Sequence, residues 1–90
     1  MAIRCFMVAD YQHSNAPGSM WWEEGVAGKR WLHVRTPDGH IVNLTDAGER
    51  ARTLSGDPPN VTLVGSRLNL DEAGRQTWHG WLRNGELVDA

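Results

Sequence analysis

One cysteine, one phenylalanine and one tyrosine are all the chain carries of three residue types that small domains commonly lean on. The lone Cys5 excludes an internal disulfide and suits a reducing compartment. It sits in a short apolar stretch, where a free thiol usually serves as inert packing. Charge of one sign is missing too. Nine Lys and Arg are interspersed with eleven Asp and Glu, with no basic run or stripe. The electrostatic footprint of a duplex-binding protein is therefore absent, and no duplex nucleic acid is expected as a partner. The longest apolar runs fall far short of a membrane span, so no membrane partner is expected either. Cys5-Phe6-Met7-Val8 is too short for the core of a signal peptide, which points to a cytoplasmic location. Internal repeats and low-complexity tracts are lacking.

What the chain does have is tryptophan. Five indoles stand in ninety residues. A single domain of this size, 1–90, buries only about 60–65% of the surface its unfolded form exposes. Each enclosed indole removes roughly 150–250 Å² from water, so a few can replace many aliphatic side chains.

The clearest local signals are two hairpins. In residues 77–88, Asn84-Gly85 separates two alternating arms and predicts a two-residue type I′ turn, since both positions require positive φ. In that register Leu82 faces Leu87 on the side of Trp78 and Gly80. Trp81 faces Val88 on the side of His79, with Arg83 opposite Glu86. In residues 31–44, Thr36-Pro37-Asp38-Gly39 fits a type I turn followed by a left-handed glycine. Thr36 then faces His40, Val34 faces Val42 and Leu32 faces Leu44. The four aliphatics fall on one face, so turn chemistry and hydrophobic pattern select one register independently.

Elsewhere the reading is coarser. Residues 3–8 form a first strand and 11–19 a loop rich in turn residues. Met20-Trp21-Trp22 is an apolar anchor, and 23–29 a loose connection. Residues 45–54 are the one helix candidate, with Asp46 and Glu49 in a capping-box relation. Residues 61–64 make a further strand, extending toward Leu68 and Leu70, and 71–76 a polar loop. Short strands at close spacing with one short helix predict a mainly β fold, a small antiparallel sheet or barrel-like sandwich built from hairpins.

Three motifs resemble a family of uncharacterised bacteriophage and prophage proteins. They are Pro17-Gly18-Ser19-Met20-Trp21, Gly56-Asp57-Pro58-Pro59-Asn60-Val61-Thr62-Leu63 and His79-Gly80-Trp81-Leu82-Arg83-Asn84-Gly85. The likeness covers most of the chain, so 1–15 reads as strand and loop and 16–88 as the family-like core. It implies a phage or prophage origin and a bacterial host cytoplasm, and it brings no established activity. Fuller relatives carry extra cysteines that this chain lacks, so metal chemistry does not transfer from them.

Candidate chemistry is sparse. His13, His33, His40 and His79 have no paired-ligand spacing, and the hairpin register puts His33 and His40 on opposite faces. No metal site or cofactor is expected. Gly56-Asp57-Pro58-Pro59 lacks the Lys-Ser/Thr ending of a phosphate loop and reads as a rigid corner. Glu23 and Glu24 are adjacent and point apart. Asn43-Leu44-Thr45 and Asn60-Val61-Thr62 match the glycosylation pattern but read as turn and strand chemistry. No serine or threonine sits in a nucleophile elbow, so the chain is not expected to be an enzyme. The aromatics are the remaining lead. His79, Trp81 and Arg83, with Trp21 and Trp22, form the candidate binding face, suited to stacking on a protein or small ligand. The expected function is a small non-catalytic binding or accessory module. The alternative is a homo-oligomeric structural or assembly protein.

Overall fold

The protein, described from a computed structural model, is defined over residues 2–45 and 54–90. Over that span it is mainly β. Ten strands follow in order: β1 (Ala2–Arg4), β2 (Phe6–Met7), β3 (Ser19–Glu24), β4 (Arg30–Arg35), β5 (Ile41–Asn43), β6 (Leu54–Asp57), β7 (Asn60–Leu63), β8 (Arg67–Leu70), β9 (Gln76–Arg83) and β10 (Glu86–Asp89). They form one four-stranded sheet in the order β1-β10-β9-β8, a second in the order β2-β3-β4-β5, and the separate hairpin β6-β7. All pairings are antiparallel except the short β2-β3 pair. The helix expected over 45–54 lies largely outside the described residues; Leu54, at its far end, begins strand β6.

Alternation along each strand places one apolar face inward. The first sheet contributes Ile3, Leu87, Leu82 and Trp78; the second contributes Met20, Trp22, Leu32, Val34, Val42 and Leu44. Val61, Leu54 and Leu63 of the third hairpin pack on the same cluster. The predicted registers hold. Val34 pairs with Val42 and Leu82 with Leu87, and the Leu44 amide donates to the Leu32 carbonyl at 2.8 Å. All four aliphatics of the 31–44 hairpin are at most 5% exposed.

The first strand is split. β1 pairs with β10 and β2 with β3, so the chain crosses from one sheet to the other at Cys5. Cys5 is buried there, and its amide donates to the Gly85 carbonyl at 2.7 Å. Burial pushes its thiol pKa up to about 11, which keeps it protonated and unreactive. Residues 61–70 are also not one strand. Gly65 at φ +87° separates β7 from β8, and Asn69 faces inward while Leu68 and Leu70 face out.

Gly80 and Gly85 are among the glycines fixed by their neighbours. Gly80 lies beneath the Trp78 ring, and a Cβ there would stand 2.3 Å from it. Gly85 has φ +78°, and its Cβ would stand 2.8 Å from the Pro59 carbonyl oxygen of the neighbouring hairpin. Gly39, also left-handed at +87°, faces open space. Gly25 is not in a loose connection. The Trp31 ring covers it, and a Cβ would meet that ring at 2.8 Å.

Gly39→Val should cost about 1–2 kcal/mol, the cost of a left-handed residue with a Cβ. Gly85→Val, which adds the clash, should cost clearly more. Equal midpoints for the two variants in urea would show that Gly85 is not packed against Pro59. Trp78 is 8% exposed, and its indole N–H donates to Asp89 at 2.9 Å. Trp78→Ala should cost about 3–5 kcal/mol. Trp81→Ala should cost less than half of that, because Trp81 is only half-buried on the outer face. Equal losses in urea melts would place both rings in the core.

Candidate functional site

Strand β9 decides the geometry of the outer face. Because Trp78, Gly80 and Leu82 point inward, His79, Trp81 and Arg83 must point outward. The strand pairings then set Val88 beside Trp81, Glu86 beside Arg83 and Leu68 beside His79, with Arg4 on the far side of Glu86. The Arg83 guanidinium lies over the Trp81 ring, 4.4 Å from its centroid. A cation over an indole face is attracted by the ring quadrupole, and both side chains lose freedom in the process. The Arg4 guanidinium donates to the Asn84 carbonyl at 3.3 Å, which holds it near the same edge.

The sequence grouped five residues into one binding face; the structure brings three of them together. Trp21 is 0% exposed and contributes no surface. It lies on the outer side of the second sheet, where the segment carrying Tyr11 and Ser14 folds back over it. Tyr11 and His33 lie tilted against the ring, with centroids at 6.3 and 5.6 Å, and its N–H donates to Glu23 at 3.0 Å. Arg35 holds this cover down through bonds to the Ser14 carbonyl and hydroxyl, and is itself fixed by a bond to the Gly39 carbonyl of its own hairpin. Trp22 points to the core side and is half-buried, with Arg30 stacked on it at 4.6 Å. Neither ring is near Trp81. The split follows from alternation: adjacent strand residues cannot share a face.

A second constellation escaped the sequence reading. Asp38, expected only as a turn residue, is the hub of a polar knot between the two sheets. Its carboxylate accepts from the hydroxyls of Thr36 and Thr77, from the Asn69 amide at 3.2 Å, and from the His40 ring at 2.6 Å. Asn69 also donates to the Thr36 hydroxyl at 2.9 Å. Burial opposes ionisation of Asp38, but the bonds from Thr36, Thr77, Asn69 and His40 outweigh it, and its pKa falls well below the carboxylate range. No sequence signal pointed to the knot, since alternation around Leu68 and Leu70 would turn Asn69 outward.

The knot contains Asp, His and Thr but does not make a nucleophilic triad. There the base must hold the nucleophile on one ring nitrogen and the carboxylate on the other. Here Asp38 and Thr77 both approach Nδ1 of His40, and Thr77 gives its proton directly to Asp38. The four histidines stand apart. His13 pairs with Asp10 at 2.7 Å, His33 lies tilted against Trp21, His40 joins the knot and His79 lies on the outer face. Among the described residues no three potential metal ligands converge, and no helix is long and apolar enough to cross a membrane.

Comparison with known proteins returned no matching family model, curated protein or solved structure.

Asp38 gives a pH prediction. Its folded pKa is depressed, so its contribution to stability is complete above the unfolded value of 3.8 and is lost as pH falls below it. Asp38→Asn should lower stability at neutral pH and flatten the acid limb of the stability curve. A variant whose urea midpoint falls with acid as steeply as that of the unaltered protein would contradict the knot.

Proposed function

We propose that this chain is a non-catalytic binding module that docks a protein partner through the outer face of the β1-β10-β9-β8 sheet. The observation that carries the reading is Trp81, half-exposed and held under the Arg83 guanidinium at 4.4 Å. Trp and Arg dominate the energetic centres of protein interfaces. Fixing both side chains in advance reduces the ordering cost that binding would otherwise incur. Arg83 lies over the ring and His79 flanks it on the same strand, while Arg4 stands beyond Arg83 with Glu86 between the two arginines. Such a face suits a partner surface that presents an apolar side chain beside a carboxylate. The three sequence motifs support a phage or prophage origin, with the partner in a bacterial host cytoplasm. The structural alternative, self-assembly, draws on the exposed Leu68 and Leu70 at the rim of this sheet.

A photo-crosslinking side chain at position 79, beside Trp81 on the same face, in bacterial cells expressing the chain, tests the reading. A discrete adduct should form at 79, fail to form at the exposed loop position Glu72, and be lost when Trp81→Ala or Arg83→Glu is added. An adduct of twice the chain mass would replace the reading with self-assembly. No adduct at 79, or one indifferent to both changes, would overturn it.

A further inference from the structure

The edge strands β5 and β8 belong to different sheets and are not hydrogen-bonded to each other. The polar knot ties them at one end, and a seam runs on from there. One groove along it is lined by His40, Ile41, Arg67, Leu68, Asn69 and Leu70. A second, lined in part by Asn43, Leu44, Val64 and Arg67, continues beyond it.

The main-chain groups facing this seam follow from the pairing pattern. Thr36 donates to His40 and Leu44 to Leu32, so alternation directs the amides and carbonyls of Ile41 and Asn43 away from β4. On the other side, Ala90 donates to the His79 carbonyl. The odd residues of β9 therefore bond β10, and the even ones bond Arg67 and Asn69 of β8. That leaves the main chain of Leu68 directed outward. Exposed strand edges of this kind accept a further strand. The side chains at the rim match one, since Ile41, Leu68, Leu70 and Val64 are 42, 49, 50 and 69% exposed.

Arg67 supplies the charge. The residue is half-buried and borders both grooves and the core crevice. Its Nε donates to Asn69 at 2.9 Å, and it makes no ion pair among the described residues. The neighbouring acid, Asp38, is already saturated by its own donors. A guanidinium partly withdrawn from water without a counter-charge is poised for one, and its planar fork fits a carboxylate with two parallel bonds.

We propose that the β5–β8 seam binds an extended segment of a partner protein, with an Asp or Glu side chain on Arg67 and aliphatic neighbours against Ile41 and Leu68. This site adjoins the outer face at Leu68 but centres on Arg67 and the two strand edges, and it does not depend on the role of Trp81.

The test titrates the isotope-labelled full chain with acetyl-Thr-Val-Glu-Val-Thr-amide and with the same peptide carrying Gln in place of Glu. The Glu peptide should shift the amides of Ile41, Asn43 and Leu68 and bind about tenfold or more tightly than the Gln peptide. Arg67→Gln should erase that difference while the remaining amides keep their positions, and Arg67→Lys should restore only part of it. Equal binding of the two peptides to the unaltered chain, or shifts confined to the Trp81 face, would overturn the proposal. So would a response to inorganic phosphate with none to either peptide. If Arg67→Gln unfolds the chain, the Glu–Gln comparison on the unaltered protein decides alone.

Discussion

One buried carboxylate holds the two sheets in place. Asp38 sits in the β4–β5 turn of the second sheet, yet two of its donors, Asn69 and Thr77, come from β8 and β9 of the first. Its side chain is only 8% exposed, and a charge in that position is costly unless donors surround it. Four side chains do so. The apolar faces of the sheets would attract each other in many relative positions, because the hydrophobic effect is non-directional. A saturated carboxylate is directional. It fixes which strand ends meet, and so where the core closes and where the β5–β8 seam stays open.

The same alternation that builds the core sorts the tryptophans into separate uses. Trp78 fills the space over Gly80 and anchors its N–H on Asp89. Trp21, one position from Trp22 on β3, lands on the opposite side and needs its own cover, to which the segment carrying Tyr11 and Ser14 contributes. Below it His33 is buried with its Nδ1 unbonded, 3.6 Å from Glu23. Trp81 stays half-exposed on the outer face, with the Arg83 guanidinium over its ring and Val88 beside it.

The hairpins were legible because their determinants are local. Thr36-Pro37-Asp38-Gly39 and Asn84-Gly85 encode turn type, turn type sets register, and register assigns Leu82, Leu87, Val34 and Val42 to the core. The three-residue face of His79, Trp81 and Arg83 followed from the same alternation. What stayed hidden depends on contacts far apart in sequence. Asn69 reaches Asp38 across 31 positions and Thr77 reaches it across 39, and no spacing rule foretells such pairs. The break between Val64 and Arg67 was hidden for a related reason: on β8 Asn69 takes the inward place, between the exposed Leu68 and Leu70, where the knot uses its amide. Gly25 looked free because its contact, the Trp31 ring, comes from a neighbouring strand.

A double-mutant cycle between Asp38→Ala and Asn69→Ala, read by urea unfolding, tests most directly whether the knot joins the sheets. Hydrogen bonds to a charged group contribute about 1.5–3 kcal/mol each, and residues in one network couple by about 0.5–3 kcal/mol. The coupling energy should therefore be at least about 1 kcal/mol, with either single change destabilising the chain. Losses that add to within about 0.3–0.5 kcal/mol, the range for independent sites, would show that Asp38 and Asn69 do not hold the two sheets together.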